Sequence, residues 1–135
     1  QMVELATQGY PKIKSSDIEF DLSQPNYTVH TLAHLEKKYP DYEFVLIMGE
    51  DNLVSLHKWK NIDVIAERYT IYVYPRKLGS SPKSVTFEGH VAKVRAPIIE
   101  ISSSLIRRAI KAGKNVQPML PKAVWVYLDE MNFYK

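Results

Sequence analysis

Two short stretches of this chain are apolar at nearly every position, and each follows a segment with helical spacing. Phe44-Val45-Leu46-Ile47-Met48 is the first and Tyr69-Thr70-Ile71-Tyr72-Val73-Tyr74 the second. A strand with one wet face alternates apolar and polar residues. An unbroken run reads instead as a strand buried on both faces, the habit of parallel sheets. Parallel neighbours need a long crossover, usually a helix. These two runs therefore commit the chain to an α/β fold, a parallel sheet with helices on both faces.

The intervening segments agree. Residues 2–8 read as the end of a helix stopped by Gly9-Tyr10-Pro11, and residues 28–39 as a helix with Val29, Leu32, Ala33 and Leu35 on one side, ended before Pro40. Residues 51–56 and 62–68 read as short helices, 103–111 as a helix closed by Gly113, and 122–131 as a final helix with Val124, Tyr127 and Leu128 facing inward. Residues 91–96 read as a strand. So do residues 13–22, from the loose alternation of Ile18, Phe20 and Leu22. Residues 77–89, with Gly79, Ser80, Ser81, Pro82 and Ser84, read as a mobile loop. No internal repeat or linker interrupts the pattern, so residues 1–135 are expected to form a single domain. At 135 residues, such a domain can bury roughly 70% of its unfolded surface and needs no staple.

Composition narrows the chemistry. With 0 Cys the chain has no disulfide, thiolate metal site or Cys nucleophile, which suits a reducing compartment such as the cytoplasm. No apolar run approaches the ~20 residues of a membrane helix. The start, Gln1-Met2-Val3-Glu4, is neither a signal peptide nor an ordinary translation start. It resembles the middle of a helix, so a missing upstream part is expected. A net charge of +3 is too small to mark a nucleic-acid binder. Its distribution is uneven: residues 1–75 balance at −4 and residues 76–135 at +7. Between Ile101 and Leu128 there is no acid, while Arg107, Arg108, Lys111, Lys114 and Lys122 supply cations. Such a basic half suits an anionic ligand, or simply a solvated face.

In parallel sheets, ligands sit beyond the carboxyl ends of the strands and at helix N-termini. Gly49 and Asp51 follow the first apolar run directly. Gly49 would let the backbone approach a ligand, and Asp51 could accept from ribose hydroxyls. A turn glycine and a capping aspartate are the plainer alternative. In Ile101-Ser102-Ser103-Ser104-Leu105-Ile106-Arg107, three hydroxyls open a helix whose first turn carries no acid. That end, with Arg107 one turn on, suits a phosphate. Ser102 or Ser103 could equally serve only as a cap. Trp59, in the connection Leu56-His57-Lys58-Trp59, could stack on a flat ring or belong to the core. Trp125 reads as structural. Thr28 could cap the helix it precedes. His30 and His34 lie four apart, but a zinc pair wants a third ligand, and His57 and His90 have no evident partner.

Together these pieces resemble bacterial nicotinate-nucleotide adenylyltransferases of the nucleotidylyltransferase superfamily. The resemblance rests on Asn26-Tyr27-Thr28-Val29-His30-Thr31-Leu32, Ile47-Met48-Gly49-Glu50-Asp51-Asn52-Leu53, Leu56-His57-Lys58-Trp59, Tyr74-Pro75-Arg76, the serine motif at 101–107 and Leu120-Pro121-Lys122-Ala123-Val124. It implies a Rossmann-like fold and transfer of an adenylyl group from ATP to nicotinate mononucleotide. The products are deamido-NAD and pyrophosphate, and Mg²⁺ accompanies the ATP. It further implies that Gly49 and Asp51 contact the adenosine ribose and that Ser102, Ser103, Arg107 and Arg76 hold ATP phosphates. Trp59 would stack on the pyridine ring and Thr28 would help hold the nicotinate carboxylate.

The family opens with a strand and a turn carrying His-x-Gly-His, whose histidines bind phosphates and stabilise the transition state. The histidines here are His30, His34, His57 and His90, and none falls in that motif. The N-terminal strand–helix part is therefore expected to be absent. No catalytic residue is assigned in this chain, which alone is expected to be inactive, with an exposed sheet edge through which copies could associate. Three other readings remain open: the phosphopantetheine enzyme or another adenylyl or cytidylyltransferase, a non-catalytic nucleotide- or RNA-binding remnant, and a structural piece that pairs with a separate N-terminal chain.

Overall fold

A computed structural model describes residues 1–75 and 89–135. In order, it contains α1 (Met2–Thr7), a 3-10 turn at Ile18–Asp21, α2 (Thr28–Lys38), β1 (Val45–Gly49), α3 (Glu50–Leu53), a 3-10 turn at Leu56–Lys58, α4 (Ile62–Arg68), β2 (Thr70–Tyr74), β3 (Val91–Lys93), α5 (Ser103–Lys111), a 3-10 turn at Gln117–Met119 and α6 (Lys122–Glu130). These divide into two compact units, one of Asp17–Glu100 and one of Gln1–Ser16 with Ile101–Lys135.

The unit of Asp17–Glu100 holds the sheet, ordered β1-β2-β3 and parallel throughout. Leu46 pairs with Ile71 and Met48 with Val73, so these side chains share one face. That face packs with Val29, Leu32, Leu53, Leu56, Ile65 and Tyr69 in a single apolar cluster. Ile65, Ile71 and Leu56 are wholly buried. Burying a side chain of that size contributes about 1.5–3 kcal/mol, which is why the periodic apolar positions of α2 and α4 turn toward the sheet. Tyr69 is also buried. Burial, then a hydrogen bond to the Glu36 carboxylate and its charge, push the phenol pKa up, against the opposing pull of Arg68. Arg68 in turn pairs with Glu36 at 2.9 Å.

The expectation of two doubly buried strands is corrected here. On the opposite face, Ile47 is 68% exposed and its register partner Tyr72 is 40% exposed. An all-apolar run states that both faces tolerate burial, not that both obtain it. The strand expected over residues 13–22 is also corrected. Its middle forms the 3-10 turn, with Ile18 buried and Phe20 88% exposed. Side chains two apart on one strand face would share a fate. The loop expected over residues 77–89 lies, except for Gly89, outside the described residues.

The other unit pairs α1 with α6 and includes α5. Its buried side chains are Ile110, Val116, Val124 and Leu128, whereas Tyr127 and Trp125 are half-buried. Gly113 ends α5 with φ +67, a left-handed conformation that favours glycine.

Candidate functional site

Gly49 is the last residue of β1, buried, and paired in register with Tyr74. Its φ of −75 is ordinary extended backbone, so it is not a turn glycine, and any need for it lies in its lack of a side chain. It occupies the cap position of α3, whose first turn carries Glu50 and Asp51. Asp51 is exposed just past the strand end. Its neighbour Glu50 lines a cavity of about 310 Å³ at the carboxyl ends of the three strands, together with Val73, Tyr74, Pro75, Lys93 and Arg95 among others. Lys93 and Arg95 belong to none of the motifs read from the sequence. The signal for them was the basic Lys93-Val94-Arg95 at a predicted strand end.

Trp59 follows the turn at Leu56–Lys58 and is half-buried against the apolar cluster. Asn61, at φ 50, turns the chain left-handed into α4. Asparagine tolerates that conformation better than most residues. Thr28 is the first residue of α2, and Tyr27 holds the cap position without a side-chain cap bond. The expected Thr28 cap is thus corrected. Instead, the entry to α2 is pinned from the preceding turn. Asn26 Nδ2 donates to the Glu19 carbonyl at 3.1 Å and Thr31 Oγ1 to the Glu19 carboxylate at 2.7 Å. Asn26 Oδ1 is buried with no partner among the described residues. Lys60 Nζ lies 4.3 Å from the Tyr27 ring centroid. The neighbours of Trp59 and Thr28 therefore touch, which brings those two motifs to one place.

In the other unit, Ser102 caps α5 by accepting from the Leu105 N–H at 3.2 Å. The first turn of α5 has no acid, and its leading N–H groups lack intrahelical partners. Ser103, Ser104 and Arg107 are all exposed there. Arg107 Nη2 donates to Ser104 Oγ at 3.4 Å, so the guanidinium folds back toward the helix start. A guanidinium and bare amides gathered at one helix end suit an anion. Arg76 lies outside the described residues. Among the described residues, no group of three His, Asp or Glu side chains could hold a metal. His30 instead packs edge-on to Tyr27, with centroids 5.6 Å apart.

Residues 1–109 match the family model described as cytidylyltransferase-like. The chain is 59% identical over its full length to a probable nicotinate-nucleotide adenylyltransferase of Flavobacterium johnsoniae, covering 70% of that relative. It is 44% identical to a protein of the same description from Bacteroides fragilis, over 93% of this chain and 62% of the relative. Among solved structures, it resembles a Plasmodium falciparum nicotinic acid mononucleotide adenylyltransferase complexed with NaAD. The TM-score is 0.72 at 17% identity, over 91% of this chain and 63% of that one. At that identity the likeness speaks for the α/β fold alone.

Proposed function

The chain belongs to the nicotinate-nucleotide adenylyltransferase family, nucleotidyltransferases of NAD biosynthesis, and from that premise we propose how its residues serve adenylyl transfer from ATP to nicotinate mononucleotide. The observation that carries the proposal is the conjunction of a 59% identical relative of that description with three physical features. These are the acid past β1, the half-buried Trp59, and the acid-free, arginine-bearing start of α5.

In the reaction, a phosphate oxygen of the mononucleotide attacks the α-phosphorus of ATP. The bond to the β-phosphate oxygen breaks and pyrophosphate leaves. No covalent enzyme intermediate is needed, so catalysis is positioning plus stabilisation of charge. The α5 amides, Ser103 and Arg107 hold phosphate oxygens, with Arg76 assisting. Ser102 contributes chiefly by capping, since its Oγ already accepts from Leu105. Asp51 accepts from the ribose, and Gly49 leaves room for it. Trp59 offers its ring to the pyridine, and Thr28 donates to the nicotinate carboxylate. Mg²⁺ is carried by the ATP phosphates, as that ion commonly is.

We read both units as parts of one domain, because the family match at 1–109 runs through both. No helix among the described residues is long and apolar enough to cross a membrane. A cytoplasmic setting and homo-oligomerisation through the β1 edge belong to the same proposal.

A pyrophosphate-release assay tests the reading. The chain, which has no His-x-Gly-His, is expected to give no turnover. A chimera that adds the corresponding segment of the Flavobacterium johnsoniae relative is expected to release pyrophosphate with nicotinate mononucleotide and not with phosphopantetheine. Release only with phosphopantetheine would assign it to another branch of the superfamily.

A further inference from the structure

We propose that Tyr134 is a positioning residue for Arg107, holding its guanidinium where the α5 start meets phosphate. The inference rests on the reading of Arg107 as a phosphate ligand. After α6 the backbone takes two left-handed turns at non-glycine residues, Asn132 (φ 54) and Tyr134 (φ 65). For a residue as bulky as tyrosine this conformation is unfavourable, and it persists only where the surroundings over-determine it. Two ties do so here. The Phe133 ring packs edge-on against Tyr127 of α6, with centroids 5.8 Å apart. Lys135 Nζ pairs with the Asp129 carboxylate at 2.9 Å and bonds Asn132 Oδ1 at 3.1 Å.

The outcome of this fold-back is that the Tyr134 ring lies beneath Arg107, with Cζ 5.9 Å from the ring centroid. On the same side chain, Nη2 reaches Ser104 Oγ. Both Arg107 and Tyr134 are exposed, so a long, flexible side chain would otherwise sample many rotamers. An aromatic face attracts the cation without using its N–H groups, which stay available to phosphate oxygens. Pre-ordering Arg107 lowers the entropy lost on binding, and the ring does so without adding an acid that would compete with the nucleotide.

Calorimetric titration of the full chain with ATP, and with adenosine as the phosphate-free control, tests this. Tyr134→Leu is expected to weaken ATP about two- to fivefold, the scale of an exposed cation–π contact, and to leave adenosine unchanged. Tyr134→Phe keeps the ring and is expected to bind ATP like the parent. Tyr134→Gly removes the ring but relieves the left-handed backbone. It is expected to weaken ATP while the melting temperature holds or rises. In an Arg107→Ala background, Tyr134→Leu is expected to add nothing. ATP affinity unchanged in Tyr134→Leu but lost in Arg107→Ala overturns the positioning role and leaves the phosphate reading standing. Losses that extend equally to adenosine or track the melting temperature also overturn it. No effect of Arg107→Ala overturns both.

Discussion

Ser102 separates structural from ligand roles within one side chain. Its Oγ accepts from Leu105 at 3.2 Å, and losing such a cap costs about 1 kcal/mol. Ser102→Ala should therefore lower stability by about that amount, read by urea unfolding. Ser102→Asp keeps a capping oxygen and adds favourable charge at the helix start, so stability should hold or rise. The same carboxylate repels phosphate, so ATP affinity should fall about tenfold or more, an effect on the scale of a charge-assisted hydrogen bond. Retained ATP affinity in Ser102→Asp would remove the phosphates from this helix end. Residue types were legible here because an acid-free first turn is visible in one dimension. The cap itself was legible as Ser102 or Ser103, but which of the two caps, that Arg107 folds back on Ser104, and that Lys93 and Arg95 line the strand-end cavity depend on backbone direction, which residue spacing does not carry.

At the scale of elements, Tyr69 links α4 and β2 to the pH response of the core. Its folded pKa lies above the ordinary phenol value of about 10. The unfolded chain thus ionises first as pH rises. Between the two pKa values the unfolded state binds fewer protons, and stability falls with rising pH. Below that window the contribution of Tyr69 is fully present. Urea unfolding from pH 8 upward should show this alkaline loss, and Tyr69→Phe should flatten it. An unchanged slope in Tyr69→Phe would place the loss elsewhere. The β1 edge yields a second expectation. Ile47 is 68% exposed on an edge strand of the described sheet, and such edges invite pairing between chains. Ile47→Lys should shift the chain toward monomer in sedimentation, and an unchanged distribution would exclude this edge.

Helices were the most legible elements. The segment 103–111 carries its serine start and its closing Gly113 in sequence, and α5 has those bounds. Residues 13–22 misled because Asp17, Glu19 and Asp21 alternate with apolar neighbours over too few residues to separate a strand from a 3-10 turn. Burial on both faces of β1 does not follow from its apolar run, for a related reason. Hydrophobicity records what a side chain can bear, whereas coverage depends on elements distant in sequence.

For the whole molecule, the two halves of the chain differ in charge as the proposed ligands differ in kind. The segment up to residue 75 balances at −4 and holds the acid, the tryptophan and the threonine assigned to ribose and pyridine. The remainder balances at +7 and holds the assigned phosphate ligands. Raising salt should therefore weaken ATP more than adenosine, because screening acts on the phosphate contacts. A salt dependence steep enough for many released counterions, seen instead with RNA, would favour a nucleic-acid role.

The most direct test is a fluorescence titration of the chain with deamido-NAD and with NAD. Two tryptophans emit, Trp59 and Trp125, so Trp59→Phe isolates the site signal. Saturable quenching by deamido-NAD, stronger than by NAD, is expected to appear in the parent chain and to disappear in Trp59→Phe. A folded chain whose Trp59 emission ignores deamido-NAD, or whose quenching survives in Trp59→Phe, would contradict the assignment of Trp59 and Thr28 to the nicotinate end of the ligand.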